Sequence, residues 1–306
     1  MKKSFLSIND LSIKELKNVL ELAKNIKKSP SKYSSFLQGK VLACIFEKQS
    51  LRTRVTFEVG IKQLGGNSIF LAPSDISLGK RESVYDVTKN LERWVDAIMI
   101  RTFGHNIVVE MSEVGKIPII NGLTDLEHPC QALADFLTVI EHKKKIKGLK
   151  FTYVGDGNNV CHSLMLTAAK LGVDFFVATP RDFEPSKEIF ELALDEAKKT
   201  ETTIEIINNP IEAVEKADVV YTDVWASMGQ ESEATKRNKV FKNYQVNSKL
   251  MSYAKKDAIF MHCLPAHRGL EVTDDVLDSE QSVVFDEAEN RLHAQKAIMC
   301  LLMKNK

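Results

Sequence analysis

No run of apolar residues in this 306-residue chain approaches the ~20 that a helix needs to cross a bilayer. The opening residues 1–10 carry positive charge without a sustained apolar stretch, so neither a spanning helix nor a leader is expected, and the reading is a cytoplasmic protein. Cysteine is scarce: the 5 thiols, at 44, 130, 161, 263 and 300, are odd in number and widely scattered. That excludes a disulfide framework, suits a reducing compartment and offers no structural zinc site. Excess charge of one sign is also missing, with 42 basic residues against 41 acidic ones and a net charge of +1. Such a balance gives no global attraction to nucleic acid or to an anionic membrane, and leaves small molecules as the expected partners.

What is present is length and alternation. A chain of 306 residues exceeds a usual single domain and predicts two lobes, each with its own core. In the first half, apolar strand-like runs at 41–46, 68–71, 97–100 and 117–121 alternate with helical spacing over about 52–64, 84–94 and 129–142. The second half repeats the pattern, with strands at 151–154, 175–178, 204–207, 219–222, 259–262 and 283–285 and helices at 160–171 and 186–199. The expected fold class is α/β, two doubly wound parallel-sheet lobes with the active site in the cleft between them. The basic stretch 142–148 reads as a solvated hinge, which divides the chain into 1–142 and 143–286. A last helix from about 288 to 304 has apolar spacing at Leu292, Ala297, Ile298, Leu301 and Leu302 and packs on the body of the protein.

Four short stretches carry chemistry. The strand 41–46 leads into Ser50-Leu51-Arg52-Thr53-Arg54, where Ser50 and Thr53 can cap a helix and two arginines stand beside the positive end of its dipole. This suits a phosphate, and equally an ordinary capped turn with two solvated cations. His128-Pro129-Cys130-Gln131 sets an imidazole before a helix-starting proline and a carboxamide in the first turn. Asp223 follows an apolar strand and opens a loop with Ser227, Met228 and Gly229. Its carboxylate can face a cleft at the strand end and accept from an ammonium group, while Gly229 lets the loop move. His262-Cys263-Leu264-Pro265 places a thiol and backbone carbonyls at another strand end.

These four segments, in this order, resemble the signatures of the transcarbamoylases, and most closely the branch acting on ornithine. The resemblance covers nearly the whole chain. It implies that carbamoyl phosphate is held by Ser50, Leu51, Arg52, Thr53, Arg101, His128, Gln131, Cys263, Leu264 and Arg291. Ornithine falls to Asn159, Asp223, Ser227 and Met228. Arg52, Arg101, His128, Asp223 and Cys263 are the implied catalytic set, with Asp223 and Cys263 receiving the side-chain amine and the Leu264 carbonyl meeting the carbamoyl amide. The final helix is implied to return to the first lobe, spanning 287–306. No metal and no organic cofactor are implied, and the family's active sites lie at trimer interfaces, so a homotrimer or a multiple of trimers is expected.

Several features bound that reading. Arg54 suits a supporting salt bridge better than substrate contact. Gly155-Asp156-Gly157-Asn158-Asn159-Val160 begins like a dinucleotide fingerprint but has Val160 where the third glycine belongs, which tells against a nicotinamide oxidoreductase. Cys263 beside His262 invites a thiol nucleophile, yet neighbouring strand residues point to opposite faces. Leu51 stands where many ornithine enzymes carry threonine, and Ser77 where the family often presents glutamine. An N-acylated ornithine or putrescine is therefore the alternative substrate, and a non-catalytic anion-binding protein the alternative of another class.

Overall fold

The computed structural model describes residues 3–304 except 77, 80, 227, 228 and 230, and of residue 231 the backbone alone. The expectations at Ser77, Ser227 and Met228 lie outside the described residues. The chain forms two compact units, Met1–Leu137 with Glu289–Lys306, and Thr138–Ala288.

The first unit holds four parallel strands, β1 (Val41–Phe46), β2 (Asn67–Leu71), β3 (Ala97–Arg101) and β4 (Ile119–Leu123), in the order β2-β1-β3-β4. Its central strands are apolar up to Arg101, the last residue of β3, as strands buried on both faces of an all-parallel sheet are. Sequence order reverses between β1 and β3, where Phe46 pairs with Arg101, and ligands collect at the carboxyl ends of strands at such a reversal. The sequence reading missed several helices, two of them long. Ile13–Lys28 starts from a capping box of Ser12 and Glu15 and buries Leu16, Val19, Leu20, Ala23 and Ile26, while His105–Val114 follows β3. Upstream of both, Phe5 adds a bridge to β4 at Ile120.

The second unit holds β5 (Lys150–Val154), β6 (Asp174–Ala178), β7 (Ile204–Ile207), β8 (Val219–Thr222) and β9 (Ile259–His262), in the order β7-β6-β5-β8-β9. Here the reversal falls between β5 and β8, where Val154 pairs with Thr222, and β9 continues outward with His262 beside Thr222. Phe151, Tyr153, Phe175 and Tyr221 stack across these strands. Each such ring contributes ~1.5–3 kcal/mol by leaving water.

The expected strand at 283–285 is corrected. Val283 N–H bonds the Phe260 carbonyl once, and then the helix Val284–Met303 begins, so the apolar run touches the sheet edge and enters a helix. Three apolar residues do not distinguish the two outcomes. The basic stretch is also not uniformly solvated. His142 and Lys143 close the helix Pro129–Lys143, His142 meets Asp286, and the Lys143 ammonium is buried against Asp257 at 2.6 Å, whereas Lys144, Lys145 and Lys147 are exposed.

Candidate active site

In the first unit the switch point is built from four segments. Ser50 has extended backbone and its Oγ accepts the Thr53 N–H at 3.2 Å, which starts the helix Leu51–Gln63 and aims its first N–H groups outward. Arg52 is half-buried there, and Leu51 is exposed. Arg54 pairs with Glu58 one turn on in the same helix, at 2.9 Å, and lies 3.6 Å from the centre of the Phe70 ring. The loop after β1 is tied to the end of β3 because Glu47 N–H donates to the Arg101 carbonyl and the Thr102 hydroxyl donates to the Glu47 carboxylate.

Arg101 ends β3 and is buried, as are His128 and Gln131 at the start of the helix Pro129–Lys143. Arg291 comes from the last helix and is only 2 % exposed. Its guanidinium donates through Nη1 to Gln131 Oε1 and through Nη2 to Thr53 Oγ1, while Gln131 Nε2 donates to Asp135 Oδ1 at 2.7 Å. Burial, and then the charges of Arg291, Arg101 and Arg52, hold the His128 imidazole well below its ordinary titration range. His128 is therefore a neutral ring among three permanent cations. That combination fits an anion with a carbonyl attached, because cations take the phosphate and an imidazole can polarise the carbonyl without a second full charge.

In the second unit, β5 is followed by Gly155, at φ +145°, and the chain runs through Asp156 and Gly157 to the helix Asn159–Leu171. A Cβ at Gly157 meets the Pro185 nitrogen at 2.2 Å, so only glycine fits that turn. Asn158 is the N-cap, its Oδ1 accepting from the Val160 and Cys161 N–H groups at 3.0 and 3.1 Å. Its amide nitrogen donates to Asp223 Oδ2 at 2.8 Å. Asp223, at the end of β8, also accepts at Oδ1 from the Cys263 thiol at 3.1 Å and from Val224 N–H at 2.8 Å. Asn159, the residue expected to meet ornithine, is the first residue of the helix and half-buried. The residue that touches Asp223 is its neighbour, which the sequence reading did not single out, although an Asn before a helix is itself a cap signal.

Cys263 follows β9 and is the half-buried thiol of the 5; the other 4 are buried. His262 is fully buried and both its ring nitrogens are engaged: Nδ1 accepts the Leu264 N–H at 2.9 Å and Nε2 faces Glu271 Oε1 at 3.2 Å. The Cys263 thiol itself donates to the Asp223 carboxylate. Leu264 sits in the left-handed region at φ +56°, ahead of a cis bond to Pro265. Among the described residues, Asp223, His262 and Cys263 are the cluster with metal-ligand atoms within 4.8 Å of one another, and each of those side chains already takes part in hydrogen bonds.

The loop after Asp223 is anchored by a residue that the sequence reading passed over. Arg237 is buried and donates through Nη1 to the Trp225 carbonyl and to Asp156 Oδ2, each at 3.0 Å, and through Nε to Glu233. Nothing in a polar helical stretch announces that one arginine turns inward.

Comparison with known proteins also finds two domains, with the last helix counted in the second. Residues 3–141 match the aspartate/ornithine carbamoyltransferase carbamoyl-P binding domain, and residues 147–302 the Asp/Orn binding domain of that family. A relative named ornithine carbamoyltransferase, from Carboxydothermus hydrogenoformans, is 54% identical over 98% of this chain and 97% of its own length. At 50% identity stand one from Pyrococcus furiosus named anabolic, over 98% of this chain and 96% of its own, and one from Thermoplasma acidophilum named catabolic, over 99% of each. The solved ornithine carbamoyltransferase of Pyrococcus furiosus superimposes with a TM-score of 0.96, covering 99% of this chain and 97% of that one. With both halves matched in order and relatives aligned from end to end, the chain belongs to the aspartate/ornithine carbamoyltransferase family and is a carbamoyltransferase.

Proposed function

We propose that the side-chain amine of ornithine attacks the carbonyl carbon of carbamoyl phosphate in this protein, giving citrulline and phosphate. The observation that carries this reading is the contrast between the two switch points. One gathers Arg52, Arg101 and Arg291 around a neutral His128, and the other presents the Asp223 carboxylate with the Cys263 thiol at 3.1 Å. The first suits a phosphate-bearing donor and the second an amine.

Carbamoyl phosphate is assigned to residues 1–142 with the closing helix, and ornithine to residues 143–286. Ser50, Leu51, Arg52, Thr53, Arg101, His128, Gln131 and Arg291 hold the donor. Arg52, Arg101 and His128 stabilise charge that develops on the carbonyl and phosphate oxygens. Asp223 and Cys263 receive the ornithine side-chain amine and help it lose a proton before attack, the Asp223 carboxylate being the basic group of the two. Asn159, Ser227 and Met228 hold the rest of that substrate, and Cys263 and the Leu264 carbonyl meet the carbamoyl group. Catalysis is positioning and electrostatics, with no covalent intermediate.

The protein works in the cytoplasm as a homotrimer or a multiple of trimers. Among the described residues no helix is long and apolar enough to cross a membrane. The first unit exposes Leu51, Val55, Ile69, Tyr85 and Trp94, a set of apolar side chains that further copies of the chain cover. The test is citrulline formation from carbamoyl phosphate and ornithine, with N-acetylornithine, putrescine and aspartate assayed in parallel. Turnover with ornithine alone is the expected result; preference for another amine, or none at all, overturns the reading.

A further inference from the structure

Asn158 has little freedom in how its amide lies. Its Oδ1 is taken by two backbone N–H groups of the helix it caps, Val160 and Cys161, and by the Tyr153 hydroxyl at 3.3 Å. Burial, and then the Asp223 charge, keep the Tyr153 phenol well above its ordinary titration range, so it stays an O–H donor. With the oxygen end fixed by three donors, the NH2 end has one direction, and there it meets Asp223 Oδ2 at 2.8 Å. The amide cannot flip without setting its NH2 group against two N–H donors.

The consequence lies at Asp223. Asn158 holds one carboxylate oxygen from the β5 side, while Val224 N–H and the Cys263 thiol hold the other from the β8 and β9 sides. Because β5 and β8 are adjacent, the cap of a helix and the acid of the site are brought together at the sheet's switch point. We propose that Asn158 is a positioning residue, which fixes the rotation of the Asp223 carboxylate so that its Oδ1 edge is presented with the Cys263 thiol to the incoming amine. This rests on the ornithine reading above. Asn158 need touch no substrate to do it.

Asn158→Asp separates the structural role from the positioning one. A carboxylate oxygen caps the helix start as well as an amide oxygen does, but the donor to Asp223 is replaced by a second carboxylate that repels it, so some stability is lost. Asn158→Ser is the second variant, since it also caps and is too short to reach the acid. For Asn158→Ser the expected result is a melting temperature close to that of the wild type, and for both variants an unchanged KM for carbamoyl phosphate and kcat/KM for ornithine reduced roughly 10- to 100-fold. Each substitution is also made in an Asp223→Asn background, where the further loss is expected to be under about 2-fold, because Asn158 acts through that carboxylate. Wild-type protein that forms no citrulline overturns the ornithine reading itself. Active wild type overturns the present inference alone if either folded variant keeps kcat/KM for ornithine, or if the losses add in full to that of Asp223→Asn.

Discussion

Arg291 Nη2 donates to Thr53 Oγ1 at 3.1 Å, across 238 positions of sequence. The other arm of the same guanidinium donates to Gln131, so one side chain from the last helix joins the starts of two others, Leu51–Gln63 and Pro129–Lys143. The proposed carbamoyl-phosphate site is in this sense assembled by the last part of the chain. A planar fork does this where a point charge does not, because its two arms leave in fixed directions and each meets its own acceptor.

Arg291→Lys keeps the charge and loses the fork. One ammonium does not reproduce both bonds in their planar geometry, so Thr53 and Gln131 lose their common orientation. The expected outcome is a KM for carbamoyl phosphate raised about tenfold or more, equivalent to ~1.4 kcal/mol of binding per factor of ten. The KM for ornithine moves less. Steady-state kinetics with each substrate varied at saturating levels of the other checks this, and equal shifts in both constants contradict it.

Arg237 is expected to act on the other substrate. Its Nη1 joins the Trp225 carbonyl, two residues beyond Asp223, to the Asp156 carboxylate in the turn after β5. Arg237→Met removes both links and leaves a buried carboxylate without its cation, a change that costs ~3 kcal/mol or more. The KM for ornithine should rise about tenfold with that for carbamoyl phosphate unchanged. Adding Asp156→Asn should recover part of the lost melting temperature, since the orphaned charge is then gone. Failure of the double variant to recover any of it means that the pair matters through packing on Phe183, whose ring lies 5.0 Å from the guanidinium, and not through charge.

How much of this was legible beforehand differs by residue. The strands at 204–207, 219–222 and 259–262 were readable to the residue, because a short apolar run between turn residues fits the pleat of a buried parallel sheet. Ser50 was readable as a helix cap and Asp223 as a strand-end acid, since both follow from local pattern, whereas Thr53, read as a second cap, lies inside the helix and its hydroxyl accepts from Arg291. Arg291 was accessible through family resemblance alone, because a helical arginine looks the same whether it faces water or a site. Asn158 and Arg237 were not found: which of two adjacent asparagines caps a helix, and whether an arginine folds inward, are decided by contacts from distant strands. Lys143 failed for the same reason, its partner Asp257 lying 114 positions away.

Two buried groups should give stability opposite dependences on pH. His128 is held well below its ordinary value of 6.5 by burial and the neighbouring arginines, so the unfolded chain binds a proton there that the folded chain refuses. Its contribution is complete above 6.5 and is lost as pH falls below it. Asp156 is pushed by burial from 3.8 up to about 6, so the folded chain keeps its proton longer, and stability is lost as pH rises from 3.8 to about 6. On acidification from pH 7 to 5, melting temperature should fall less than wild type in His128→Gln and more than wild type in Asp156→Asn. Thermal unfolding at half-unit steps checks both, and a reversed order of the slopes contradicts the assignment.

Gln295 follows Arg291 by one turn on the last helix and is fully buried, yet neither atom of its amide meets a partner among the described residues. In the unfolded chain that amide is hydrated, and a buried polar group left unpaired costs about 1–3 kcal/mol. Methionine has a similar length, bends to fill the same space and carries no amide, so Gln295→Met should stabilise the fold. For a unit of this size each kcal/mol is worth roughly 2–4 °C, so differential scanning calorimetry should show melting raised by a few degrees. Kinetic constants should stay unchanged, since no contact of Arg291 with Thr53 or Gln131 is altered. A lower melting temperature contradicts the prediction and means that the loss of packing on replacing the amide outweighs the gain from removing an unpaired polar group.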